Sequence, residues 1–245
     1  MMTRIWITTV FALLTSGFAV GAQERFTLDL EAGPAWQFRN DFAVPGDGGT
    51  LVRLEDRGPV GSVRATLTWR ASERWSLRFL AAPLSTESDF VSGAPVRFEE
   101  TTFAAGETIR ADYRFDSYRV GAYYRFPSSG RWSTRAGLTL KVRDAAIELT
   151  SASQSASKTN TGVVPLLYGG IRLQVSPRVA LDLEADAAAA SQGRAVDARL
   201  NIERQLSERT SIYVGARVLE GGADNDEVYS FGTFAYAHGG VRLTF

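Results

Sequence analysis

Tyr229-Ser230-Phe231-Gly232-Thr233-Phe234-Ala235-Tyr236-Ala237-His238-Gly239-Gly240-Val241-Arg242-Leu243-Thr244-Phe245 ends the chain, and its reading decides the rest. Tyr229, Phe231, Ala235, Ala237, Val241, Leu243 and Phe245 share one face. Ser230, Gly232, Tyr236, His238, Arg242 and Thr244 share the other. Side chains that repeat every second residue mark a β-strand. Phe234 breaks the pattern by setting a large apolar ring on the more polar face. A strand at a chain end needs a neighbour to hold it, because termini otherwise fray.

Working backwards, four segments carry Ser-x-Arg ahead of an apolar alternation: Ser72-Glu73-Arg74, Ser129-Gly130-Arg131, Ser176-Pro177-Arg178 and Ser207-Glu208-Arg209. Each reads as a tight turn. Longer polar stretches lie between them, at residues 40–50, 85–106, 150–161, 188–194 and 220–227. Short turns at one end and long loops at the other match a membrane barrel. Four turns and five loops predict ten antiparallel strands with both chain ends on the short-turn side. The strands fall near residues 25–39, 51–70, 75–91, 107–126, 132–149, 162–175, 179–187, 195–206, 211–219 and 228–245. Pro95–Phe126 reads as a tall hairpin turning at Ala104-Ala105-Gly106, and another reading of it gives eight strands or twelve. Phase slips at Gly58-Pro59 and Asp116-Ser117 predict bulges.

The front of the chain has a different texture. Residues 1–22 carry one charge, Arg4, then an apolar run from Ile5 to Leu14 and small residues at Val20-Gly21-Ala22. That is the pattern of a cleaved secretory signal peptide, which leaves residues 23–245 as one domain. There is no cysteine, and 27 basic residues face 27 acidic ones. Disulfides, cysteine metal sites and a nucleic-acid footprint are therefore not expected, and no cofactor is implied. Only Lys141 and Lys158 are lysines, and all other basic residues are arginine, whose planar fork suits partly buried carboxylates. Past Ala22 no apolar run approaches the roughly 20 residues of a membrane helix. A membrane span must then be a closed barrel, since lipid cannot satisfy open sheet edges.

Alternation alone fits a soluble barrel too. Two features favour the membrane. Trp69, Trp75, Phe126, Trp132 and Phe245 sit at strand ends beside the short turns, as an interfacial aromatic girdle would. The opposite face carries charges of both signs: Asp29 and Glu31, Arg64, Arg78, Arg119, Arg135 and Lys141, Arg172, then Asp182, Glu184 and Asp186, Asp197, Arg199 and Glu203, Arg217 and Arg242. Cations gather on strands two to six, and carboxylates on strands seven, eight and one. Ten strands enclose little more space than the eight-stranded case that side chains fill. An ionic network filling the lumen is expected.

The ending Gly239-Gly240-Val241-Arg242-Leu243-Thr244-Phe245 resembles the terminal strand of small Gram-negative outer-membrane β-barrel proteins of eight to twelve strands. The resemblance covers residues 23–245 at the level of architecture. It implies an all-β, antiparallel, transmembrane up-and-down barrel in the bacterial outer membrane, with periplasmic termini. Its implied partners are outer-membrane lipid, lipopolysaccharide, and the barrel assembly machinery reading the C-terminal strand. It implies no oligomeric state.

Within that resemblance the omptin proteases are ten-stranded too, and their two Asp and Asp–His pair lie near the outer rim. Here the lone histidine, His238, falls well below the last long loop. With Ser230 and lumen carboxylates it is also the candidate for a Ser–His–Asp arrangement, comparable with the lipid A palmitoyltransferase and deacylase barrels. A satisfied lumen histidine is the plainer reading, because no nucleophile motif accompanies it. Asp224, Asp226 and Glu227 form the most acidic loop and are the candidate Ca²⁺ ligands. A structural or surface-interaction barrel with a filled lumen is the leading functional expectation. A narrow pore for small polar solutes and a lipid- or peptide-processing enzyme are the alternatives.

Deleting Phe245 is expected to lower assembly, measured as the heat-modifiable fraction on gels, more than it lowers any activity. Normal assembly of the truncated chain counts against the barrel reading.

Overall fold

The computed structural model describes residues 25–54 and 57–245, so the expected signal peptide lies outside the described residues. Every regular element among them is a strand. In chain order these are β1 (Phe26–Ala43), β2 (Val52–Leu54), β3 (Arg57–Arg70), β4 (Trp75–Ala82), β5 (Ser85–Val91), β6 (Val96–Phe98) and β7 (Thr101–Phe103). Then follow β8 (Thr108–Arg125), β9 (Trp132–Thr150), β10 (Ser155–Ser176), β11 (Val179–Ala190), β12 (Gly193–Gln205), β13 (Thr210–Asp224) and β14 (Tyr229–Thr244). β2 and β3 make one stave, as do β4 and β5. Ten antiparallel staves result, each paired with its chain neighbour. β14 returns to β1, from Thr27 opposite Thr244 to Ala43 opposite Tyr229. The sheet closes on itself, and the fold is an antiparallel transmembrane up-and-down barrel.

The short turns explain themselves locally. The Ser72 hydroxyl accepts from the N–H of Arg74 and of Trp75, at 3.3 and 3.0 Å. Ser207 does the same for the N–H of Arg209, at 3.3 Å. A serine ahead of a two-residue reversal thus replaces the hydrogen bonds that the strand gives up.

The opposite end differs from expectation. Much of what composition marks as loop is strand: Ser155–Thr161 pairs with Asp144–Thr150, and the turn between them is only residues 151–154. β1, β5, β11 and β13 likewise continue to Ala43, Val91, Ala190 and Asp224. Beyond the lipid belt the outer face meets water, so the apolar alternation fades while the backbone ladder continues. The bulge at Gly58-Pro59 is present, with Ala35 opposite Val60 but Gln37 opposite Arg57. The one expected at Asp116-Ser117 is not: Phe115, Asp116 and Ser117 face Ala145, Asp144 and Arg143 in unbroken register. The apparent slip there is an outward Asp116, whose carboxylate accepts from the Leu84 N–H at 3.1 Å, next to Pro83.

Pro95–Phe126 is not one hairpin. β6 pairs with β7 in a separate two-stranded sheet, turning at Glu99 with φ of 53°, while β8 pairs with β4 and β5. Burial explains the difference. Phe98 and Phe103 are 1% and 0% exposed, so their apolar surface draws the hairpin into the barrel mouth. There Phe98 meets Phe42 edge-on at 6.0 Å. The Glu99 N–H donates to Val44 at 2.8 Å, the Gln154 side chain to the Thr102 carbonyl at 2.7 Å, and Lys158 pairs with Glu99 at 2.8 Å. Beneath the hairpin Ile109, Tyr113, Phe115, Ile147, Leu149, Phe234 and Tyr236 fill the upper lumen as one apolar cluster. Phe234, the exception in the last strand, stacks on Tyr113 at 6.4 Å. The outer face carries the complementary belt, with Val63, Val120, Leu138, Leu140, Val163, Leu167, Leu200 and Val214 all exposed.

Replacing Phe98 with Ala removes the ring that anchors the hairpin, a loss of about 3 kcal/mol for a buried Phe. Tryptic cleavage after Arg97 in the folded barrel is expected to quicken; an unchanged rate would place the hairpin's hold elsewhere.

Candidate functional site

Below the apolar cluster the inward positions turn polar together. Parity does this: on each stave the residues that face the lumen at this height are the alternate ones singled out by charge. The result is a layer in which the two walls meet. Asp197 on β12 accepts from Arg64 at 3.2 Å, Arg119 at 2.6 Å and Arg217 at 2.6 Å. Asp186 on β11 accepts from Arg78 at 2.6 Å, Arg119 at 2.8 Å and the Thr139 hydroxyl at 2.8 Å. Arg119 therefore ties the two carboxylates together across the lumen, with its side chain 2% exposed. Glu31 takes Arg217 at 2.9 Å, with Arg199 at 3.6 Å and Arg64 at 3.8 Å.

A second tier lies nearer the short turns. Glu184 accepts from Arg199 at 2.6 Å and from the Tyr168 hydroxyl at 2.7 Å. Arg135 reaches Asp182 at 2.7 Å and also Glu184. Arg172 grips Glu203 through both terminal nitrogens, at 2.8 and 2.9 Å. Arg242 joins Asp29 at 2.7 Å and also pairs with Glu203. Gly170 makes room for this tier, since a Cβ there would lie 2.6 Å from Nε of Arg135. Of the charged residues expected in the lumen, Lys141 lies inside but makes no direct ion pair among the described residues. It stands opposite Arg119 in the β8–β9 register, feels Asp197 through charge alone, and sits over the Phe115 ring at 4.4 Å.

Sequence reading missed the neutral groups that complete the layer. Tyr168, Thr139 and Asn201 occupy inward positions, and only their parity could have pointed to them. His238 lies in this layer too. Its Nε2 lies 2.7 Å from the Asn201 amide and 3.6 Å from Glu31, and its ring meets Tyr213 edge-on at 6.2 Å. With the Asn201 nitrogen donating to Nε2, the Asn201 oxygen accepts from Arg199 at 3.3 Å and the histidine proton rests on Nδ1. Gly215 leaves space for the pair, since a Cβ there would collide with the Asn201 amide. Ser230 is eight residues up the strand, beyond hydrogen-bond reach of an inward His238.

The acidic loop does not converge either. Asn225 caps its turn, accepting from the N–H of Glu227 and Val228 at 3.1 and 3.0 Å. That tight reversal spreads Asp224, Asp226 and Glu227 apart, and no cluster of metal-ligand side chains exists among the described residues. At the short-turn end, Trp69, Trp75, Phe126, Trp132 and Phe245 are all exposed on the outside. Phe26 stacks between Trp69 at 6.4 Å and Phe245 at 6.1 Å, and Tyr124 links Trp75 at 5.4 Å to Phe126 at 5.2 Å.

Replacing Asp197 with Ala leaves buried Arg64 with only the 3.8 Å contact to Glu31 and takes one of two carboxylates from Arg119 and Arg217. The expected cost is about 3–5 kcal/mol, the usual result of orphaning a buried charge. Urea unfolding of the folded protein reads it. Adding Arg64→Met to Asp197→Ala is expected to recover part of the loss; no recovery would deny that the ions act as a coupled layer.

No family model matches the chain, and no curated protein matches it. Solved structures do. The outer membrane protease OmpT from Escherichia coli is 7% identical, with 90% of this chain and 97% of that one covered, at a TM-score of 0.57. The transport unit of the autotransporter AIDA-I from Escherichia coli is 10% identical over 95% of this chain and 94% of that one, at 0.47. The attachment invasion locus protein Ail of Yersinia pestis is 12% identical over 89% and 99%, at 0.41. At such identities the likeness to OmpT is one of fold alone: the chain has the fold of a small outer-membrane β-barrel protein.

Proposed function

We propose that the chain sits in the outer membrane of a Gram-negative bacterium as a barrel whose lumen is closed, in a structural or surface-interaction role. Its termini and short turns face the periplasm. The outward apolar belt supports the membrane placement, and so does the aromatic band at the short-turn end, where amphipathic rings favour the headgroup level. The outer-membrane lipids, including lipopolysaccharide, and the assembly machinery that receives the terminal strand are the partners this placement entails.

One observation carries the closed-lumen reading. The cross-lumen layer centred on Arg119, Asp186 and Asp197 is capped by a continuous apolar cluster and a docked hairpin. A solute passing through would have to part buried ion pairs and then displace Phe98 and Phe103. Both steps are costly. A surface role draws on the tall hairpins above the belt. Their outer faces hold paired charges on strand rather than on loose loop: Arg110 with Glu87 at 2.9 Å, Arg114 with Asp144 at 3.2 Å, and Arg194 with Glu220 at 2.6 Å. Such a surface offers a partner a fixed pattern with little ordering cost on binding.

Planar bilayers containing the heat-modifiable, folded protein are expected to show no unitary current steps. A reproducible single-channel level from that material would overturn the closed reading in favour of a narrow pore.

A further inference from the structure

Below the ionic layer the lumen opens again toward the short turns, into a cavity of about 410 Å³. That lies within the usual range of small-molecule sites, roughly 300–1,000 Å³. Its lining is unbalanced: nine arginines stand against five carboxylates. Four of the carboxylates are already engaged. Asp29 has Arg242, Asp182 and Glu184 have Arg135, and Glu203 has Arg172. Glu208 is the one acid left over, at the mouth.

The surplus is therefore local. Arg25, Arg70 and Arg178 line the cavity and face solvent at its mouth. Among the described residues they have no carboxylate or side-chain hydrogen-bond partner. Arg125 donates through Nη2 to the carbonyls of Ser72 and Glu73, at 3.1 and 2.9 Å, and not to a carboxylate. Its Nε is buried and without a partner. Each of the four stands on a different stave or turn, so their forks surround a shared space instead of forming a flat patch. The floor is the ionic layer, and the walls are backed by the barrel's apolar outer face. A one-signed cleft with low-dielectric walls concentrates counter-ions.

We propose that this vestibule binds a small solute bearing two or more acidic groups, phosphate or carboxylate, entering from the short-turn side. Arg25, Arg70 and Arg178 take the outer acidic group, and the Arg125, Tyr123, Ser133 and Gln174 side chains line the path below it. Guanidinium forks match both oxyanions in bidentate geometry. The closed-lumen reading supplies only the floor, and equilibrium binding does not depend on conduction. A current through the lumen and a failure to bind are thus separate results.

Calorimetric titration of the folded protein in non-ionic detergent tests the site, with inorganic tripolyphosphate and citrate as probes at low ionic strength. Saturable one-to-one binding of at least one probe is expected. It should weaken by about tenfold or more when Arg25, Arg70 and Arg178 are all replaced with Gln, since charge-assisted bonds are lost together. A second variant, with Arg53, Arg131 and Arg204 replaced with Gln, removes the same charge outside the cavity and is expected to bind like the wild type. Heat-modifiable mobility confirms that both variants are folded. Absence of saturable binding to the wild type, or equal weakening in both variants, would overturn the proposal.

Discussion

Closure of the sheet is the constraint from which everything else follows. Phe26 and Phe245 exchange backbone hydrogen bonds at 2.8 and 2.9 Å, and from there β1 and β14 pair along nearly their whole length. In hydrocarbon an unpaired N–H or C=O costs several kcal/mol, so a span with an open edge is not viable. Closing at ten staves fixes the circumference, and the circumference fixes how much lumen must be filled. Ten strands leave a space that side chains from opposite walls can bridge. Arg64 on β3 and Asp197 on β12 meet for this reason, and not because either is unusually long.

The filling is layered, and the layers follow from what lies outside them. At the long-loop end both faces of the staves leave the lipid. There the inside can be an ordinary apolar core, built from Phe42, Phe115, Ile147 and Phe234 and covered by Phe98 and Phe103. At the height of the apolar belt the inside is ionic instead. Nearer the short turns the lumen opens into a polar cavity with excess arginine. One barrel thus holds a soluble-type core, a buried salt network and a polar cavity along a single axis.

Legibility in the sequence followed the same layers. The ten staves and the inward parity of the charges could be read because lipid outside and ions inside give a strict period of two. The upper staves could not. Ser155–Thr161 lies beyond the belt, where a strand wet on its outer face looks like a loop in composition. The docked hairpin was hidden for another reason. Phe98 meets Phe42 only after the barrel has closed, a contact between residues 56 positions apart that no local pattern announces. Phe234 was the visible sign of it, an aromatic in the wrong phase for a polar lumen and in the right one for an apolar plug. Lys141 was legible as an inward charge but its ring partner was not, since it lies at the boundary where charge gives way to Phe115.

An ionic layer is a costly way to fill a lumen, because well-packed apolar side chains often do as well or better for stability. Its position suggests what it does instead. At the belt the outer face of every stave must be apolar. If the inner face were apolar too, the two faces would be alike, and a one-residue slip in pairing would cost little. Such a slip exchanges the faces of a whole strand. With Arg64, Arg78, Arg119 and Arg217 on the inner parity, a slipped stave would send an arginine into lipid. That costs about 2–4 kcal/mol near the bilayer midplane, and it also orphans the carboxylate left inside. Correctly registered, the same charges meet partners at 2.6 to 3.2 Å. The layer penalises the misregistered barrel more than it burdens the native one, and the register it protects is the one that lets β14 close on β1.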